Sequence, residues 1–120
     1  MPTKQLFVGA LSGTSIDAID VAVVAIDQAG IELISSDSHL FPPALKERLQ
    51  TLCTPSANEL VQFGLADRAF ALETARAIRH ALAKAGLNAK DITAIGSHGQ
   101  TVRHHPELDP PFSLQLGCPA

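Results

Sequence analysis

Apolar and polar positions divide the chain into a strand-rich start, a helical middle and a second stretch of strand and polar loop. Leu6-Phe7-Val8-Gly9-Ala10-Leu11 is a short apolar run followed by turn-forming residues, which predicts a buried strand. Ile19, Val21, Ala22, Val23, Val24, Ala25 and Ile26 form a denser, largely β-branched run, the pattern of a strand covered on both faces. Asp27-Gln28-Ala29-Gly30 predicts a turn, and Ile31-Glu32-Leu33-Ile34-Ser35-Ser36 alternates as a third strand would. Connections this short make the three strands an antiparallel meander.

Helical signals follow. Pro42 and Pro43 precede Ala44-Leu45-Lys46-Glu47-Arg48-Leu49-Gln50, a short helix with proline at its start. Ser56 and Glu59 stand in the relation of a capping box. Leu60, Phe63, Ala66, Phe70, Ala77, Ile78 and Leu82 then recur at helical spacing, and Gly86 is placed to end the helix. One long helix is expected, with Gly64 as the place for a bend. Ile92-Thr93-Ala94-Ile95-Gly96 reads as a fourth strand that returns after a helix, and so runs parallel to an earlier one. The stretch from Gly96 to Pro106 reads as a polar loop, and Phe112-Ser113-Leu114-Gln115-Leu116 as a short fifth strand. The order predicts an α/β domain with a mixed sheet, antiparallel at first and extended by crossovers.

Composition narrows the function. The 120 residues suffice for one core, and with 46% hydrophobic and 18% charged residues the chain is of ordinary globular type. The formal net charge of -3 gives no diffuse basic field for nucleic acid or anionic lipid. No apolar run approaches the ~20 residues needed to span a bilayer, and the N-terminal residues lack a signal-peptide core. Cys53 and Cys118 have no metal-ligand or CxxC spacing, so a reduced, cytoplasmic protein is expected. Gly117-Cys118-Pro119-Ala120 resembles the opening of a further helix, and the chain reads as a fragment of something longer.

Two polar constellations carry the candidate chemistry. The first, Ser12-Gly13-Thr14-Ser15-Ile16-Asp17-Ala18-Ile19-Asp20, packs three hydroxyls, a glycine and two carboxylates between two apolar strands. Such a turn presents backbone N–H groups and hydroxyls that can cup phosphate oxygens. It holds no Lys or Arg, so a carboxylate beside a phosphate, Asp17 or Asp20, implies an intervening Mg²⁺. It is neither a Walker A loop nor a nucleophile elbow. Residues of these types also make an ordinary turn.

The second constellation is Gly96-Ser97-His98-Gly99-Gln100-Thr101-Val102-Arg103-His104-His105-Pro106. Loops after parallel strands line ligand crevices, and His, Gln, Thr and Arg offer the directed donors and acceptors a sugar needs. Gly99 would let the backbone approach a ligand closely. The spacing of His98, His104 and His105 fits no common zinc pattern. A solvated polar loop is the plainer alternative. His39 and His80 read as surface or strand-end residues, and Arg68, Arg76 and Arg79 as the solvated side of the long helix.

Together the two segments resemble the signatures of the anhydro-N-acetylmuramic acid kinases, of the sugar-kinase, heat-shock chaperone and actin superfamily. Gly9 to Asp20 is similar to the family's G-x-M-S-G-T-S-x-D-G-x-D, and Ile95 to His104 to its second signature; Gln115 to Ala120 is similar to the segment leading into its next helix. Leu11 replaces the usual Met, and Ala18 the usual Gly. The resemblance implies a ribonuclease H-like sheet. Residues 1–120 would be the N-terminal part of the first, ATPase-type domain of a two-domain kinase, with the second domain absent. It implies ATP in the interdomain cleft and an amino-sugar substrate whose 1,6-anhydro bridge is opened as O6 is phosphorylated, in cell-wall recycling. Gly13, Thr14, Ser15, Ile16, Asp17, Ala18, Ile19 and Asp20 match the ATP-phosphate turn, with Asp17 and Asp20 toward Mg²⁺. Ser97, His98, Gly99, Gln100 and Thr101 are the expected sugar-side residues. The catalytic base is expected beyond Ala120, this segment alone is expected to be inactive, and a homodimer is the assembly to test. Another kinase or phosphatase of the superfamily, or a non-catalytic nucleotide-binding module, are the competing readings.

Overall fold

The structure, a computed structural model, describes residues 4–117. The expected helix opening at Pro119 and the thiol of Cys118 therefore lie outside the described residues. Strands β1 (Gln5–Ser12), β2 (Ala18–Asp27) and β3 (Gly30–Leu40) come first, then helices α1 (Pro43–Leu52) and α2 (Glu59–Lys84). A 3₁₀ turn over Ala89–Asp91 leads into β4 (Ile92–Ser97), followed by β5 (Gln100–His105) and β6 (Phe112–Leu116).

Four strands form one mixed sheet in the order β3-β2-β1-β4. The first three are antiparallel, whereas β4 returns parallel to β1, pairing Val8 with Ile95 and Ala10 with Ser97. This is the α/β arrangement expected: an antiparallel start extended by a helical crossover, as in a ribonuclease H-like sheet. The β2–β3 pairing shifts register between Val23 and Val24, which face Ser35 and Leu33 and leave Ile34 as the extra residue of a bulge. Beyond it β3 continues past the expected Ser36 to Leu40, because Ser38 and His39 pair with Asp20 and Ile19.

Helix α2 packs on one face of this sheet. Val8, Ala10, Ile19, Val21 and Val23 share a core with Ala66, Phe70, Ala77, Ile78, Ala81 and Leu82 of α2 and with Leu45, Leu49 and Leu52 of α1. The expectation that β2 is covered on both faces is not met here. Ile19, Val21, Val23 and Ala25 are buried, but Asp20 is exposed and Ala22 and Val24 are half-buried. Period-2 alternation sends these residues to opposite faces, and α2 covers only one of them.

The helix ends follow local chemistry. α2 runs without interruption through Gly64 and stops in a Schellman motif: Leu87 N bonds Leu82 O at 2.9 Å, Gly86 N bonds Ala83 O at 3.1 Å, and Gly86 has φ +73°. At its start only half of the expected capping box forms. Glu59 Oε1 accepts the Ser56 N–H at 2.9 Å, but the N-cap is Asn58, left-handed at φ 56°. Leu60, expected on the buried stripe, is 88% exposed. Among the described residues, no helix is long and apolar enough to cross a membrane.

The largest departure is the second constellation. Gln100–His105 is strand β5, paired antiparallel with β6 in a two-stranded sheet of its own, with Gln100 opposite Leu116 and His105 opposite Phe112. Two of the polar side chains that suggested a loop are bonded within the hairpin. His104 Nδ1 bonds Ser113 Oγ at 2.6 Å and His105 Nδ1 bonds Glu107 at 2.9 Å, while Val102 is buried.

Candidate functional site

The turn between β1 and β2 is built around a residue whose conformation its side chain does not favour. Ile16 N–H bonds Gly13 O at 3.2 Å, closing a four-residue turn over Gly13-Thr14-Ser15-Ile16. Ile16 has φ 55°, a left-handed conformation costly for a β-branched residue. Its side chain is 2% exposed, so burial in the core holds the backbone there. Ile19 is likewise 1% exposed. Neither offers a side chain to a phosphate, and their share in the turn is confined to the backbone. Gly13, Thr14, Ser15 and Asp17 are exposed. A Cβ on Gly13 would meet nothing closer than Ser15 Oγ at 4.0 Å, so the rim of the turn is open. Ala18 is not among the positive-φ residues; it opens β2 opposite Leu40. The backbone strain of this segment sits two residues earlier, at Ile16.

The carboxylates of the turn make separate bonds. Lys46 Nζ, on α1, donates to Asp17 Oδ1 at 3.2 Å. The Ser15 hydroxyl first, and Lys46 second, hold the Asp17 carboxyl below its ordinary range. Asp20 points from the open face of β2 and accepts the Ser38 hydroxyl on Oδ1 at 2.5 Å. A cation thus does serve the turn, although the turn's own sequence has none. Nothing local announces Lys46, which arrives through the docking of α1. Among the described residues, no three His, Cys, Asp or Glu side chains converge as a metal cluster. The donors present suit a metal that brings its other ligands with it: Asp17 is a hard, exposed oxygen, and Mg²⁺ retains waters and phosphate oxygens when a protein supplies one or two carboxylates.

Beneath the turn lies Gln100, with a fully buried side chain. The buried Ser12 hydroxyl donates to its Oε1, and its Nε2 donates to Gly13 O and to Thr101 O, each at 3.1 Å. The two constellations, far apart in sequence, therefore meet. Not all of the second one faces outward. Ser97 and His98 are exposed, Thr101 is half-buried, and Gly99 and Gln100 are buried. His98 N–H bonds Ala10 O at 2.9 Å, fixing the β4–β5 corner against β1, and Gln115 Nε2 bonds His98 O at 3.1 Å.

Gly99 has a reason other than ligand approach. At φ +80° a Cβ there would stand 2.4 Å from Leu116 O, so the glycine admits the backbone of β6. The following Gly117 N–H bonds Asp67 of α2 at 2.5 Å. Arg103 also turns away from the corner: Nε donates to Leu52 O at 2.7 Å and the guanidinium pairs with Glu59, tying β5 to the junction of α1 and α2.

Comparison with known proteins places the sequence in a family. Residues 5–120 match the family model described as anhydro-N-acetylmuramic acid kinase. A protein of that name from Shewanella woodyi is 42% identical over 98% of this chain, and one from Saccharophagus degradans is 45% identical over 96%. One from Vibrio vulnificus is 42% identical over 98%. The chain belongs to the anhydro-N-acetylmuramic acid kinase family. It spans about a third of the length of the curated relatives it matches, 32% of each of these three.

Within that family framework, the segments that carry the resemblance are the β1–β2 turn and the β4–β5 corner, which are bonded to each other through Gln100. His39 was not legible as part of any network. His39 Nε2 donates to Glu73 Oε1 at 2.6 Å, and Arg76 Nη1 to Glu73 Oε2 at 2.8 Å, so the carboxylate buried on α2 has a donor on each oxygen. Burial pushes the Glu73 carboxyl up, but His39 and Arg76 together outweigh it and hold the group below its ordinary value.

Proposed function

We propose that this chain supplies the phosphate-gripping part of an ATP-dependent kinase acting on anhydro-N-acetylmuramic acid. The observation that carries the reading is the open rim of Gly13, Thr14 and Ser15, exposed between Asp17 with its Lys46 partner and the buried Gln100 support. Backbone N–H groups and hydroxyls on such a rim donate to phosphate oxygens, and Ile16, Ala18 and Ile19 contribute only main chain or framework. Asp17, with Asp20 as the second candidate, would hold the Mg²⁺ carried by ATP. When bound, the ion neutralises charge on the phosphate oxygens during transfer. On the sugar side we assign Ser97, His98 and Thr101, the members of the corner with exposed or half-exposed side chains.

The full reaction, in a cytoplasmic protein of cell-wall recycling, opens the 1,6-anhydro bridge with water and passes the γ-phosphoryl group to O6. Water adds at the anomeric carbon, its proton goes to a carboxylate base beyond Ala120, and the freed O6 attacks the phosphorus, releasing ADP. The turn's part is electrostatic: prepositioned donors around the transferring group.

Full-length protein assayed with Mg·ATP and anhydro-N-acetylmuramic acid should give the 6-phosphorylated sugar, with turnover abolished in Asp17→Asn and Asp20→Asn together. Unchanged turnover in that double variant would remove the turn from the chemistry. Turnover only with a different sugar or acid would transfer the reading to another kinase of the superfamily. Residues 1–120 alone should show no turnover, and measurable phosphorylation by them would refute the base assignment.

A further inference from the structure

The amide of Gln100 sits where its chemistry is needed for shape and where no substrate can reach it. Its side chain is fully buried, and all three of its partners belong to protein. The orientation of the amide is fixed by those partners. Two backbone carbonyls, of Gly13 and Thr101, face Nε2, so a flipped amide would set oxygen against oxygen twice. Ser12 and Gly13 are the two residues at which β1 passes into the turn. The Gly13 carbonyl also accepts the Ile16 N–H, so Gln100 holds the same oxygen that closes the turn. The turn is thereby fixed from below at Gly13 and from the core side at Ile16, while Thr14 and Ser15 between them stay exposed.

We propose that Gln100 is a positioning residue for the phosphate turn, not a contact for the sugar. It rigidifies the Ser12–Gly13 step from the second sheet, so that the Thr14 and Ser15 donors are aimed before ATP arrives. The link also gives the sugar-side corner a direct hold on the phosphate turn, since Gln100 follows Ser97, His98 and Gly99 in the chain. The inference rests on the reading that this turn grips ATP phosphates.

Steady-state kinetics of the full-length protein test it, with ATP and anhydro-N-acetylmuramic acid varied separately. Gln100→Glu keeps the size but replaces the N–H donors with oxygen facing two carbonyls. It should raise KM for ATP by about tenfold or more, the loss of one to two buried hydrogen bonds, with KM for the sugar unchanged. Ser12→Ala removes only the hydroxyl that Oε1 accepts and should shift KM for ATP in the same direction by a smaller factor, so the claim survives a Glu variant that fails to fold. A rise in KM for the sugar with ATP unaffected would make Gln100 a sugar contact and overturn the inference. So would a loss of thermal stability with both KM values unchanged. Ser15→Ala separates the two levels. If it weakens ATP binding and the Gln100 and Ser12 variants do not, the positioning role alone fails. If Ser15→Ala also leaves ATP binding unchanged, the phosphate reading itself fails and takes this inference with it.

Discussion

Lys46 Nζ lies 3.2 Å from Asp17 Oδ1, so the first helix delivers a cation to a turn whose own sequence contains none. Both side chains are substantially solvent-exposed, at 38% and 66%, and such pairs contribute little to stability. Its consequence is for protonation. The folded Asp17 carboxyl is lowered, so it stays ionised further into acid than an isolated aspartate. Lys46→Met should raise the Asp17 pKa toward its ordinary value but not fully, because the Ser15 hydroxyl remains. A carboxyl-carbon NMR titration of Asp17 in both proteins reads this directly, and an unmoved midpoint would exclude the pair in solution. Added salt should shrink the difference, as screening acts on exposed charges.

Glu73 is lowered as well, but here against a large opposing effect of burial. It is 6% exposed, and its lowered carboxyl means that the folded state binds a proton less readily than the unfolded chain. The stabilisation is therefore complete above the unfolded-state value, 4.5, and is lost as pH falls through the lower folded-state value. Glu73→Gln keeps the shape and removes the titration. Its thermal midpoint should be lower than the parent's at neutral pH, and the gap should narrow in acid below about pH 4.5. A gap independent of pH would show that the charge on Glu73 contributes nothing.

Gly99 is fixed by geometry twice over. A left-handed backbone costs a substituted residue about 1–2 kcal/mol, and a Cβ placed 2.4 Å from Leu116 O has no room. Gly99→Ala should therefore lower the thermal midpoint by an amount equivalent to more than about 2 kcal/mol, a loss large for one methyl group. Since the displaced element is β6, amide exchange should rise first at Leu114 and Leu116. An unperturbed midpoint would mean that the corner can open without cost.

Much of the fold is legible in the sequence because its signals are local. Short apolar runs mark β1, β2 and β4, and Gly86 ends α2 through backbone bonds that require its left-handed φ. The turn's candidate residues stand out because hydroxyls, glycine and carboxylates crowd between apolar strands. What stays hidden depends on distant pairing. Gln100, Arg103, His104 and His105 look like loop residues, and only β6 turns them into a strand with bonded side chains. Lys46 and Glu73 gain their roles from helix docking, which no window of sequence contains. The coverage of β2 is hidden for a related reason: composition reports how apolar a strand is, and packing decides which face is covered.

Ile16 offers the sharpest test of the turn, because two terms of opposite sign meet at one residue. Its side chain is buried in the core, so Ile16→Ala should cost about 2–5 kcal/mol. Its φ of 55° is one that glycine adopts freely and alanine does not. Ile16→Gly loses those contacts and the buried Cβ as well, worth roughly 0.8 kcal/mol, but relieves a left-handed backbone that costs about 1–2 kcal/mol. The glycine variant should therefore be the more stable of the two, by up to about 1 kcal/mol. At ordinary strand or helix positions the order is reversed, with glycine less stable than alanine. Comparing the thermal midpoints of the two variants in the full-length chain decides the matter. An alanine variant more stable than the glycine one would show that residue 16 does not hold the left-handed conformation in solution. It would also remove the anchor that leaves Thr14 and Ser15 presented on the rim.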